Sequence, residues 1–185
     1  ELYYAEDVEY AMQSIPQEIL MKDTVVLNDK AYRSLTKTKD EFYEIGKDLM
    51  RNIEHSEVHG NLTLENILVS PKLKIMFIDP YFEVGVSSPF GDYAQLIQST
   101  NSQYEVIMAQ ISKNNFTLSD DLRASLHLPL NPKLKFVNDI FIDFVVSCDD
   151  KAYFKTRWLE ITQFIRMLPF KFSNNQKAGT VIYIY

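Results

Sequence analysis

The chain has 185 residues, of which 46% are apolar and 24% charged, and its 19 Lys and Arg against 25 Asp and Glu give a formal net charge of −6. This composition predicts one globular domain over residues 1–185 and excludes a disordered polymer. The acidic balance argues against nucleic acid as a partner, because binding phosphates requires clustered Lys and Arg. A single cysteine, Cys148, excludes an intrachain disulfide framework, and no apolar run reaches the ~18 residues of a membrane span. We therefore expect a cytoplasmic protein without a membrane anchor.

The beginning of the sequence favours helices. Apolar residues recur at helical spacing over residues 3–20, where Pro16 interrupts them or opens a second helix. The polar residues 28–39 are interpreted as a connection. Asp40 is placed as the N-cap of the helix that follows. The apolar face of that helix is expected to consist of Phe42, Ile45, Leu49, Met50 and Ile53.

A β-hairpin is predicted in the middle of the chain. The short apolar runs 67–69 and 75–78 have strand composition and flank a Ser-Pro-Lys turn. The second run is followed by a loop with Gly85 and Pro89, which leads to a short helix behind Asp92.

The rest of the sequence is expected to be mainly helical. One apolar stripe covers residues 104–111, and a second covers residues 154–168 before Pro169. Residues 134–146 are interpreted as a buried helix because of their length, whereas residues 181–185 have strand propensity. Together these elements predict an α+β fold in which helices predominate.

Polar residues occupy selected places around the predicted hairpin. His59 and Asn61 lie in the loop before it, Asn66 immediately precedes its first strand, and Asp79 follows its second strand. A hairpin brings the start of one strand opposite the end of the other, so Asn66 and Asp79 are expected to converge. An amide oxygen and a carboxylate together form a hard, oxygen-rich site suited to Mg²⁺. The alternative is a structural turn whose polar residues are incidental.

The sequence around these residues resembles a known family. Residues 59–68 have the pattern His-Gly-x-Leu-x-x-x-Asn-Ile-Leu, and the later strand ends in Ile-Asp, as in the aminoglycoside phosphotransferase and choline kinase group. The resemblance implies the C-terminal lobe of a protein-kinase-like fold with a short catalytic-loop β-hairpin. It also implies ATP-dependent transfer of a phosphoryl group to a hydroxyl of a small molecule, such as a sugar, an amino sugar or an amino alcohol.

The resemblance also implies roles for individual residues. Asn66 and Asp79 match the residues that hold Mg²⁺ on the phosphates of ATP. Asn61 stands where the family has the aspartate that accepts the proton of the acceptor hydroxyl, and His59 supports that loop. Asp92, in the segment Ser-Pro-Phe-Gly-Asp-Tyr-Ala, matches an aspartate that braces the catalytic loop.

Two features depart from the family pattern. Asn61 cannot take up a proton near neutral pH, so the general-base contribution of roughly 10²–10⁴-fold is expected to be lost. The chain also holds five glycines with no Gly-x-Gly pattern, so the small lobe with its Gly-rich loop is expected to be absent from this chain. A pseudokinase-type binding or regulatory module without turnover is therefore the alternative function.

Aromatic and acidic residues later in the chain allow two interpretations each. Trp158, with Tyr153 and Phe154, forms either part of the core or an aromatic wall for a cationic acceptor. The acidic residues form either a solvated face or a region that attracts an amine-bearing substrate. They are Asp120, Asp121, Asp139, Asp143, Asp149 and Asp150.

Overall fold

A computed structural model describes residues 3–81, 87–129 and 131–185. The fold is α+β and mainly helical, with 59% helix and small sheets, which confirms the predicted class. The helices are α1 (Tyr3–Ser14), α2 (Gln17–Leu20), α3 (Leu35–Met50), α4 (Pro89–Thr100), α5 (Tyr104–Ser112), α6 (Pro132–Cys148), α7 (Ala152–Asn174) and α8 (Gln176–Ile184). The strands are β1 (Thr24–Leu27), β2 (Lys30–Arg33), β3 (Ile67–Val69), β4 (Ile75–Phe77), β5 (Phe116–Leu118) and β6 (Arg123–Leu126). A 3-10 turn, Leu64–Asn66, precedes β3.

The contacts divide the chain into two compact units, each assembled from separate stretches of sequence. Unit 1 takes in the described residues of 1–48, 105–129 and 162–185. Unit 2 takes in the described residues of 49–104 and 130–161, and it therefore contains the hairpin β3–β4 with its flanking polar residues.

Unit 1 contains a four-stranded sheet in the order β2-β1-β6-β5, in which β1 and β6 are parallel and the other pairs are antiparallel. The prediction of a connection over residues 28–39 is wrong for this reason. Asn28 and Asp29, at φ 49° and 64°, form the two-residue turn between β1 and β2, and such turns favour these two residue types. The side chain of Asn28 also bonds across to β6, because its Oδ1 accepts from Leu126 N at 2.8 Å and its Nδ2 donates to Leu126 O at 3.1 Å.

The core of unit 1 joins this sheet to helices. Its fully buried side chains include Ile107 of α5, Leu126 of β6 and Val181 of α8. The prediction of a strand over residues 181–185 is wrong, because the apolar residues of α8 pack in this core at helical spacing. Asn175 caps α8 by accepting from Ala178 N at 3.1 Å.

The structure also corrects the start of α3. This helix begins at Leu35, so Asp40 lies inside it and is not its N-cap. Leu49 is buried as expected, but Ile45 of the predicted apolar face is exposed and Ile53 lies beyond the end of the helix. The helices over residues 3–20 and 104–111 are confirmed as α1, α2 and α5.

Unit 2 confirms the predicted β-hairpin. Strands β3 and β4 pair antiparallel with Ile67 opposite Phe77, and the backbone N–H of Ile78 donates to Asn66 O at 3.0 Å. Helix α4 begins at Pro89, so Asp92 lies in its first turn and not ahead of it. The predicted loop residue Gly85 lies outside the described residues.

The two longest helices, α6 and α7, differ from the predictions. Helix α6 exists, but it is not the expected buried helix: Val145 is buried, whereas Phe136 and Ile140 are 65% and 56% exposed. Helix α7 continues through Pro169 rather than ending before it. Trp158 is buried and Phe154 is exposed, which places the tryptophan in the core and splits the predicted aromatic group.

A buried carboxylate lies in this unit at Glu160, which is 1% exposed. Its Oε1 accepts a hydrogen bond from Ser102 Oγ at 2.6 Å, and Arg157 forms an ion pair with it. Burial raises the pKa of Glu160 above its ordinary value of 4.5, while Arg157 and Ser102 oppose the shift.

Within the described residues, no helix is both long enough and apolar enough to cross a membrane.

Candidate functional site

The loop 59–64, which leads to β3, has almost no regular secondary structure, yet its six backbone N–H groups all donate hydrogen bonds. Two go to the Asp92 carboxylate and one each to the side chains of His59, Gln95 and Ser99, while the sixth goes to the carbonyl of Asn61. Side chains thus supply the acceptors that a helix or sheet would otherwise supply. The loop is therefore held mainly by individual side-chain acceptors rather than by the regular hydrogen bonds of a helix or a sheet.

The carboxylate of Asp92 accepts two hydrogen bonds from the backbone of this loop. Its Oδ2 accepts from His59 N at 2.7 Å and its Oδ1 accepts from Gly60 N at 2.8 Å. Hydrogen bonds to an ionised acceptor are short and stronger than neutral ones. Gly60 has φ 76°, a left-handed conformation that glycine adopts without strain. The predicted bracing position of Asp92 thus coincides with direct contacts to the loop.

Helix α4 presents Asp92 together with Gln95 and Ser99. These residues are three and seven positions apart, so they lie on one face of the helix. Gln95 Oε1 accepts from Leu62 N at 2.6 Å and Ser99 Oγ accepts from Leu64 N at 3.3 Å. Sequence reasoning missed both residues, because Gln98 and Thr100 on the same helix are also polar and nothing in the sequence distinguishes Gln95 and Ser99 from them.

Asn61, Asn66 and Asp79 come together at the end of the hairpin. Asn66 Nδ2 donates to Asn61 O at 2.7 Å, and Asn61 Nδ2 donates to the backbone O of Asp79 at 3.2 Å and to its Oδ2 at 3.3 Å. Asp79 has φ 55°, a left-handed conformation that aspartate tolerates better than most residues. These contacts link Asn61 to both of the predicted Mg²⁺ ligands.

His59 supports this arrangement through its backbone and its ring. Its carbonyl accepts from Tyr81 N at 2.8 Å, and its Nδ1 accepts from Asn61 N at 3.3 Å. Its Nε2 is buried without a hydrogen-bond partner in the described part of the chain. The ring also meets Phe77 edge-on, with centroids 6.0 Å apart.

Asn66 and Asp79 fit a magnesium ion that is coordinated partly by the protein and partly by substrate phosphates and water. Asn66 uses its Nδ2 toward Asn61, which leaves its Oδ1 oxygen available, and the Asp79 carboxylate is exposed. Across residues 3–81, 87–129 and 131–185, no three His, Cys, Asp or Glu side chains group as a metal site. Mg²⁺ is commonly bound by one or two protein oxygens together with substrate phosphates and water, so an amide and a carboxylate are a sufficient donor set.

An aromatic cluster lies beside Asp92 in sequence. Tyr93 packs against Phe141 and Phe144 of α6, with ring centroids 5.7 and 5.6 Å away. Burial raises the pKa of Tyr93 above its ordinary value of 10. This cluster was not predicted. Of the two alternatives for Tyr153, Phe154 and Trp158, the structure places the tryptophan in the core, whereas Phe154 is exposed.

Comparison of the chain with protein-family models, with curated proteins and with solved structures finds no match in any of the three. The resemblance to small-molecule kinases therefore depends on the residues of this sequence that carry the pattern. The function is inferred below from those residues and their contacts.

Proposed function

We propose that this chain is the large lobe of an ATP-dependent phosphotransferase that acts on a hydroxyl of a small molecule. The observation that carries the proposal is the convergence of Asn61, Asn66 and Asp79 at the end of the hairpin. The loop that bears Asn61 is in turn fastened to Asp92 by two short hydrogen bonds. The sugar, amino sugar or amino alcohol acceptor follows from the sequence resemblance.

Asn66 and Asp79 would hold Mg²⁺ on the phosphates of the nucleotide. When bound, the ion neutralises the charge that develops on the transferred phosphoryl group. Asn66 is presented by the 3-10 turn before β3 and is oriented by its bond to Asn61 O. Asp79 follows β4, so the antiparallel pairing of β3 and β4 fixes its backbone relative to Asn66.

Asn61 stands at the position of the proton acceptor, where it can orient a hydroxyl but cannot remove its proton. Phosphoryl transfer depends mainly on positioning and charge neutralisation, so slow turnover is compatible with an amide at this place. The same side chain donates to the carboxylate of Asp79, a bond that competes with a cation for that carboxylate. The amide at position 61 favours the second candidate function, a pseudokinase-type module that binds nucleotide or regulates a partner without turnover.

Binding is the first test of the proposal. Calorimetric titration with Mg-ATP should give a dissociation constant between about 10 μM and 1 mM, since a Gly-rich phosphate cover is lacking in this chain. Asp79→Ala should remove the binding, whereas Asp143→Ala, which removes an exposed carboxylate of α6, should leave it unchanged. A dissociation constant of about 1 μM or lower would contradict the expectation that the nucleotide site of this chain is incomplete. No binding at all would overturn the proposal.

Turnover separates the two candidate functions. This test uses a protein in which a small lobe with a Gly-rich loop is joined to this chain. In that background, Asn61→Asp should raise ATP consumption by roughly 10²-fold or more with one member of a panel of sugars and amino alcohols. Asp79→Ala in the same background should abolish consumption. If nucleotide binds and Asn61→Asp gives no gain with any acceptor, the pseudokinase function replaces the phosphotransferase one.

A further inference from the structure

Gln95 holds the backbone on both sides of Asn61. Its Oε1 accepts from the N–H of Leu62 at 2.6 Å, and its Nε2 donates to the carbonyl of Gly60 at 3.0 Å. The two contacts fall on the residues immediately before and after Asn61. One side chain therefore fixes both peptide groups that flank the predicted catalytic position.

A primary amide suits this task for chemical reasons. It offers a donor and an acceptor side by side, as a neighbouring strand would, and the loop presents one carbonyl and one N–H to it. A carboxylate at the same place has no proton for Gly60 O, and an apolar side chain satisfies neither group. Either exchange leaves a half-buried backbone group without its partner, which costs more than the bond itself contributes.

The position of Gln95 is itself fixed by α4. Ala94 and Ile97 of this helix are fully buried, and Asp92 on the same face is bonded to His59 N and Gly60 N. The helix therefore offers a rigid support, and the amide of Gln95 transmits that rigidity to the loop. The long side chain spans the distance with two hydrogen bonds that restrict its rotation.

Asn61 connects the backbone held by Gln95 to the proposed metal ligands. With its flanking peptides fixed, Asn61 directs its carbonyl to Asn66 Nδ2 at 2.7 Å and its side chain to Asp79. We infer that Gln95 is a positioning residue, which acts through Gly60 and Leu62 to set Asn61 and thereby the Asn66 and Asp79 pair. The role in nucleotide binding rests on the proposed function, whereas the hold on the loop does not.

Three variants test the inference. Gln95→Leu removes both hydrogen bonds at similar volume, and Gln95→Glu keeps the acceptor for Leu62 N–H while losing the donor for Gly60 O. Gln98→Leu is the matched control, since Gln98 lies on the same helix and makes no hydrogen bond to the loop among the described residues. Two quantities are measured on each protein: amide hydrogen exchange resolved at Leu62, and the dissociation constant for Mg-ATP.

The expected pattern differs between the variants. Gln95→Leu should speed exchange at Leu62 by about tenfold relative to both wild type and Gln98→Leu, whereas Gln95→Glu should retain most of the protection. Both Gln95 variants should weaken Mg-ATP binding by about tenfold, because each disturbs one flank of Asn61. A merely structural role would change exchange in Gln95→Leu and leave the affinity for Mg-ATP unaltered.

Two results would overturn the inference. One is equal exchange at Leu62 in Gln95→Leu and Gln98→Leu, which would show that Gln95 does not hold the loop. The other is an affinity for Mg-ATP that is unchanged in both Gln95 variants. Failure of the proposed function has a separate signature, since wild type then binds no Mg-ATP while exchange at Leu62 still decides whether Gln95 holds the loop.

Discussion

The core of unit 1 and the loop 59–64 of unit 2 are stabilised by different means. The core is apolar, and Ile107, Leu126 and Val181 lose almost all of their solvent contact. The loop depends on hydrogen bonds from six successive N–H groups to individual acceptor atoms. Apolar burial scales with area and tolerates exchanges of similar shape, whereas a hydrogen bond depends on which atom stands at one place. Isosteric substitutions should therefore separate the two regions.

Truncation in the core should have the largest effect on stability. Leu126→Ala removes a side chain that is 1% exposed and leaves a cavity, so we expect the free energy of unfolding to fall by about 3 kcal/mol. Leu126→Met keeps the volume and should cost less than about 1.5 kcal/mol. Urea unfolding of both variants measures the difference. Equal losses would show that shape at this position matters as much as apolar volume.

The matching isosteric change in the loop should not be tolerated. Asp92→Asn keeps the shape but turns one acceptor into a donor that faces a backbone N–H. We expect a loss of about 2 kcal/mol in the free energy of unfolding, because one charged hydrogen bond is removed and the other is weakened. Denaturant unfolding at neutral pH provides the measurement. A change of less than about 0.5 kcal/mol, the size usual for an uninvolved surface position, would contradict a loop held by Asp92.

Asn61→Asp sharpens the comparison by adding charge at the site. The new carboxylate replaces a donor to Asp79 with a like charge, so we expect a loss of about 1 kcal/mol in unfolding free energy without divalent cations. Millimolar Mg²⁺ should recover that loss if the ion binds between the two carboxylates. Thermal unfolding with Mg²⁺ and with EDTA checks both parts. An unchanged melting temperature in EDTA would show that the contact between Asn61 and Asp79 contributes nothing.

The smallest expected effect is a pH dependence from Glu160. Its folded pKa is raised by burial, so the folded state binds more protons than the unfolded state, and stability should fall as pH rises above about 4.5. Glu160→Gln removes this fall. Hydrogen bonds from Lys39 and Lys155 lower the pKa values of Glu9 and Asp149. These two carboxylates therefore change the free energy of unfolding at lower pH than Glu160 does. Urea midpoints at pH 5 and pH 7.5 should differ less in Glu160→Gln than in wild type; an equal difference would contradict this role.

The sequence alone predicts the elements whose contacts join residues close together in the chain. The hairpin β3–β4 is confirmed because its strands and turn lie within a few residues of one another. The sheet of unit 1 was missed, since β1 and β6 pair in parallel and the contact of Asn28 with Leu126 joins residues 98 apart. The strand propensity of residues 181–185 was misleading because burial in the core favours α8 instead. Tertiary contacts thus decide the elements that local preference leaves open.

The candidate site shows the same division. Asn61, Asn66, Asp79 and Asp92 were identified because they belong to a compact pattern with fixed spacing. Gln95 was not, because its partners, Gly60 and Leu62, lie 35 and 33 residues away and no pattern links it to them.

The exposed hairpin has a consequence for the behaviour of this chain at high concentration. Residues such as Leu68, Val69, Ile75, Met76 and Phe77 are between 48% and 63% exposed, and among the described residues each of the two strands pairs only with the other. Short apolar strands with open edges are templates for intermolecular pairing, so aggregation should begin at this segment. Lys72 and Lys74 beside the turn oppose such pairing by charge repulsion, which makes solubility depend on ionic strength.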